Sequence, residues 1–167
     1  FQYDISDLVY YFQCTKEKLS LRLSSIVENV HGLDFVPPVQ LYQSILGVHG
    51  QQWIELFAEI EKCSDYEYLI LDLTDGVTDL WDILRSCTHV YTITRGDGVS
   101  LAKMDQYERG LRTMEYEDVL AKTRKIEFPI FKEIPIRFDE LTYGDLARYV
   151  KQYIIPDFEA EKEGGNE

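Results

Sequence analysis

The feature that most constrains the fold is the segment YEYLILDL at residues 66–73. Between Tyr68 and Leu71 it is apolar without alternation, which is how a parallel strand buried on both faces reads. A strand of that kind needs neighbours on both sides and helices above and below. The adjoining residues fit this need. They are the loop TDGVTD, a helix holding Leu80, Trp81, Ile83 and Leu84, and a second strand-prone run, HVYTITR, whose residues 90–94 are β-branched or aromatic.

The rest of the chain alternates in the same way. Asp4 or Ser6 can cap a short helix with Leu8, Val9 and Phe12 on its inner side. Residues 16–30 read as a longer helix carrying Leu19, Leu23, Ile26, Val27 and Val30, stopped by His31 and by Gly32 at a C-cap. LDFVPP is then a short strand ended by Pro37 and Pro38. Residues 51–63 set Trp53, Ile54, Phe57, Ile60 and Cys63 on one helical face. After HVYTITR, the turn DGVS leads to a helix capped by Ser100 and running through Leu111, and residues 115–124 form a further helix. KIEFPIFKEIPI gives edge strands punctuated by Pro129 and Pro135. The last helix spans residues 141–155, with Leu146, Val150, Tyr153 and Ile154. Strands separated by helices predict a three-layer α/β fold with a mainly parallel sheet flanked by helices. We read residues 1–158 as one domain and 159–167 as an acidic, frayed tail.

A chain of 167 residues can bury about 70% of its unfolded surface, leaving roughly 8,500 Å² accessible. Its 30 acidic and 17 basic residues give a net charge of −13, which disfavours nucleic-acid backbones and anionic membranes as partners. No apolar run is long enough for a transmembrane segment. Cys14, Cys63 and Cys87 lack metal-ligand spacing and read as buried thiols of a cytoplasmic protein.

Chemistry concentrates at residues 69–100. Asp72 closes the apolar strand and Gly76 comes four residues later, ahead of a helix. In open α/β sheets ligands bind at the carboxyl ends of the strands. A carboxylate there can hold Mg²⁺ through water, and a nearby glycine lets a backbone N–H approach a phosphate. On spacing alone the plainer alternative stays open: Asp72 caps its turn and Gly76 makes it. Asp79 and Asp82 read as solvent-facing helix residues. The three histidines read as structural: His31 at a helix end, His49 in a loop, His89 at a strand start.

LILDLTDG resembles the Walker B and switch II stretch of MinD/ParA-like P-loop ATPases, where an apolar strand ends in D-x-x-x-G. HVYTITRGDGVSLAKMDQY resembles that family's next strand, loop and helix. GLDFVPPV resembles an earlier strand, DISDLVYYF the helix after its second strand, and FPIFKEIPIRFDELTYGDLARYVKQYI its closing strand and C-terminal helix. The nearest likeness is to divergent two-domain members found with pilus-assembly and receiver-like modules. The resemblance implies a bacterial, P-loop NTPase-like fold, ATP and Mg²⁺ as cofactors, nucleotide-dependent dimerisation, and a role in positioning cellular machinery. It implies that Asp72 contacts Mg²⁺ through water, that Gly76 faces the γ-phosphate, and that Pro135, Ile136, Arg137 and Phe138 lie near the base.

The departures bear on activity. No G-x-x-x-x-G-K-[ST] occurs in these residues, and the family's first two strands and phosphate loop correspond to sequence ahead of Phe1. The family's D-T-P-P-G is D-L-T-D-G here, adding the acid Asp75. The expectation is therefore a domain incomplete for ATP hydrolysis without an upstream phosphate-binding loop. Its sheet edge would pair with its own N-terminal segment, a protein partner or a second copy. A different class stays open beside it: a non-enzymatic regulatory or scaffold domain that kept the fold and lost the nucleotide. A receiver-like phosphoacceptor, with Asp72 ending a strand, is a third possibility.

Overall fold

The computed structural model describes residues 1–131, 137 and 140–164, the last four of these by backbone alone. The chain is mixed α/β and mostly helical, with two small two-stranded sheets, one of them parallel. Contacts divide it into two units. The first holds residues 1–28 and 34–128; the second holds 29–33 and 129–167.

In the first unit, α1 (Ile5–Cys14) is capped by Asp4, whose carboxylate accepts from Ser6 N at 2.8 Å, and Asp7 reaches back to Asp4 N at 2.9 Å. That reciprocal box satisfies two otherwise orphaned donors. Leu8, Val9 and Phe12 are buried, as their spacing predicts. After a 3₁₀ turn, α2 (Leu19–Ile26) buries Leu19, Leu23 and Ile26. The predicted helix to residue 30 ends four residues early. Glu28–Val30 is instead β1 of a hairpin with β2 (Leu33–Phe35), whose residues 29–33 belong to the second unit. His31 at φ 53° and Gly32 at φ 86° make its two-residue turn, because both central positions of such a turn need positive φ. Gly32 therefore turns a hairpin and does not cap a helix.

The core continues through α3 (Gly50–Cys63), which buries Trp53, Leu56 and Ile60, and α4 (Leu80–Ser86), which buries Ile83. Ile54, Phe57 and Cys63 pack partly against it. A second, smaller cluster gathers Val90, Leu111 and Val119. It is organised by β3 (Val90–Thr94), α5 (Gly98–Thr113), α6 (Glu117–Ala121) and β4 (Thr123–Glu127). β3 and β4 pair parallel, with Val90 opposite Thr123 and Thr94 opposite Glu127. Two expectations shift here. Asp97, not Ser100, caps α5, accepting from Val99 N and Ser100 N at 3.1 and 2.9 Å. The helix expected over 115–124 is shorter, and Thr123 and Arg124 belong to β4.

The largest difference lies at residues 66–73, which form no strand. Leu71 and Leu73 pack partly against the core, but Leu69 is 39% exposed and Ile70 76% exposed. The strand expected to be buried on both faces thus has one face covered, because no ladder flanks it among the described residues. Cys14 is exposed and Cys63 and Cys87 are half-buried, so the expectation of three buried thiols fails; all three are free. Among the described residues, no helix is long and apolar enough to cross a membrane.

In the second unit, α7 (Gly144–Tyr153) buries Ala147, and its Tyr149 ring meets Phe131 and Tyr153 at 6.2 and 4.9 Å. The chain continues as α8 (Ile155–Gly164), so residues 159–164 of the expected frayed tail are helical. Most of the second edge strand expected in KIEFPIFKEIPI, including Pro135, falls outside the described residues.

Candidate functional site

The first unit gathers its charged groups where the 72–79 loop meets the start of α3. Asp72 and Gly76 are both exposed, on irregular backbone. Thr78 Oγ1 donates to Leu46 O at 3.5 Å, and the Tyr42 hydroxyl donates to Gly76 O. A Cβ placed on Gly76 would meet Tyr42 Oη at 3.0 Å, so the phenol packs closely against this glycine.

The loop ends on Asp79, which sits at φ 55°, ψ 35° as the residue before α4. Such a left-handed conformation costs a non-glycine residue about 1–3 kcal/mol, though aspartate tolerates it better than most. Two contacts hold it there. Asp79 Oδ2 accepts from Gly50 N at 3.0 Å and lies 3.6 Å from His49 Nδ1. Gly50 opens α3, where backbone N–H groups are unsatisfied and the helix dipole favours an anion. His49 is the N-cap of that helix, its backbone N–H donating to Gln52 Oε1 at 2.9 Å and its carbonyl accepting from Gln52 N at 3.0 Å, and is more than a loop residue. His49 and Asp79 line an open cleft of about 420 Å³ with Asp82 and Arg85.

The neighbouring charges are committed to one another. Arg85 makes a forked pair with Asp118, its Nε and Nη2 donating at 2.9 Å each, and also donates to Glu115 O at 2.7 Å. That guanidinium holds the Asp118 carboxyl below its ordinary range. Arg85 also lies 3.9 Å from the Tyr116 ring centroid. Tyr116 donates its hydroxyl to Asp82 Oδ1 at 2.6 Å, and this bond raises the phenol's pKa. Lys122 donates to the Arg85 and Cys87 carbonyls at 2.5 and 2.6 Å. Burial raises the Cys87 thiol, with Lys122 opposing, so this cysteine is not an activated nucleophile. Asp79 and Asp82 are both exposed, as expected; Asp79 also clasps the start of α3 and Asp82 anchors Tyr116.

Of the sequence-predicted residues, Asp72 and Gly76 share one loop. Arg137 is exposed in the second unit, where its carbonyl accepts from Glu140 N at 3.1 Å. Pro135, Ile136 and Phe138 lie outside the described residues. Among the described residues, no group of three or more His, Cys, Asp or Glu is placed to hold a metal ion. The cations Arg85 and Lys122 are engaged with Asp118 and with backbone carbonyls. Sequence reasoning does not assign Tyr42, His49 or Asp79 to this site. Only Asp79, as an aspartate directly ahead of a helical run, carries a local signal. No protein-family model, curated protein or solved structure matches the chain.

Proposed function

We propose that this chain is a regulatory or scaffold module built on the switch half of a MinD/ParA-like domain, working in the cytoplasm by binding a protein and not by turning over ATP. The observation that carries the reading is that the Tyr42 phenol packs against Gly76 and donates to its carbonyl, so the loop expected to switch on nucleotide is already tied to another part of the chain. The acid Asp75 beside it supports the same reading, since a further carboxylate repels a triphosphate. Three free cysteines are compatible with a reducing compartment. Titration calorimetry with ATP·Mg²⁺ tests the proposal: we expect no binding in the micromolar range, and a micromolar or tighter dissociation constant overturns it.

A second reading is an ATPase domain completed by a phosphate-binding loop from outside these residues. It is favoured by the order of Asp72 and Gly76 ahead of the parallel β3–β4 unit. In a form carrying such a loop, ATP turnover falling at least about tenfold in Asp72→Asn with unchanged circular dichroism would establish it. Unchanged turnover would leave Asp72 a turn residue.

A further inference from the structure

Residues 69–73 combine three properties. Over residues 70–73 the side chains alternate: Leu71 and Leu73 are set against the core, while Ile70 and Asp72 face outward; Leu69, 39% exposed, lies outside the alternation. That is the period of a strand, and it anchors the segment from one face. No backbone–backbone hydrogen bond is made by any of these five residues among the described residues. Backbone of this kind is a template for strand addition. Lastly, from Lys62 to Arg85 the chain carries Asp65, Glu67, Asp72, Asp75, Asp79 and Asp82 and no intervening basic residue. The first four are exposed.

Resting on the reading of the chain as a protein-binding module, we infer that residues 69–73 are a docking edge for an extended, lysine- or arginine-bearing segment of another protein, bound by strand addition. The charge decides the occupant. A second copy pairing through the same edge brings this acidic run, with Asp72 and Asp75 in it, against an identical one, and like charges directly opposite destabilise a strand pair. A basic strand with apolar residues at alternate positions meets both Ile70 and the carboxylates. Main-chain bonds then supply affinity, and the acids select the partner.

The test uses the full chain and three labelled nine-residue peptides, read by fluorescence anisotropy at about 0.15 M salt. One alternates Lys with Val, one alternates Glu with Val, and the third is the Lys–Val peptide N-methylated at every second residue, which keeps its charge and removes strand-forming donors. We expect the Lys–Val peptide to bind at least tenfold more tightly than either other. Ile70→Lys, at a site already 76% exposed, should weaken it at least fivefold without altering the circular dichroism. Equal binding of the methylated peptide means charge attraction without strand addition and overturns the inference. So does equal binding of the Glu–Val peptide, no binding of any, or light scattering that shows a dimer abolished by Ile70→Lys. None of these outcomes touches the ATP titration, so the two proposals fail separately.

Discussion

Gly50→Ala is the sharpest probe of the junction between α3 and the acidic loop. In a helix, alanine exceeds glycine by about 1 kcal/mol, so propensity alone predicts stabilisation. Here a Cβ would lie 2.6 Å from Asp79 Cβ and 3.1 Å from Asp79 O, neither of them the end of a flexible chain. The loop must retreat, and the Gly50 N–H loses its carboxylate acceptor at 3.0 Å. A hydrogen bond to a charged group contributes about 1.5–3 kcal/mol, and the 44% exposure of the Asp79 side chain places this one at the low end. Displacing packed atoms adds about 1 kcal/mol. The net is a loss of about 1–2 kcal/mol, lowering Tm by about 2–8 °C at this chain length. Asp79→Gly removes the opposing Cβ and relieves the residue at φ 55°. In that background Gly50→Ala should cost less than about 0.5 kcal/mol. Urea unfolding of the four proteins in the cycle measures the coupling. A Gly50→Ala protein as stable as the wild type, or an equal cost in both backgrounds, refutes the argument.

Other outcomes rest on the same contacts. Ile83→Ala, at a fully buried position between α3 and α4, should lose about 2–5 kcal/mol in urea unfolding, whereas Ile93→Ala at 67% exposure should stay within about 0.5 kcal/mol. Arg85→Lys keeps the charge but breaks the fork to Asp118 and the contact over Tyr116; with both partners about half exposed, the thermal midpoint should fall by at most about 3 °C. The Ser100 and Val99 N–H groups hold the Asp97 carboxyl below its ordinary value. A depressed native pKa means stability that is present above the ordinary carboxylate pKa and lost as pH falls through the native one. Wild type should therefore exceed Asp97→Asn in urea midpoint at pH 7, and the gap should close as pH falls below the ordinary aspartate value of about 4.

The features legible in the sequence are those that neighbours along the chain decide. The Asp4 cap, the buried stripe of α1, the body of α3 and the β-branched run of β3 each rest on residues within a turn or two of one another. Leu56 escapes the stripe drawn on α3 although it is buried, because a stripe through Trp53, Ile60 and Cys63 is narrower than the face that meets α2 and α4 together. Residues 66–73 mislead for a different reason. An apolar run reports that side chains seek cover, and not whether ladders stand on either side to supply it. The same run reads as a central strand when flanked and as a one-sided edge when not, and only the second leaves Ile70 in water. At the site, Asp72 and Gly76 are visible because D-x-x-x-G is a local pattern. The Tyr42 phenol that meets Gly76 lies 34 residues away in the chain, and nothing in its own surroundings marks it. That contact separates the two functional readings. If the phenol belongs on Gly76, Tyr42→Phe should destabilise the loop and leave ATP affinity unimproved. If the phenol instead stands in the way of nucleotide, Tyr42→Gly in a form that carries an upstream phosphate-binding loop should strengthen ATP·Mg²⁺ binding by calorimetry, and the regulatory reading would yield to the ATPase.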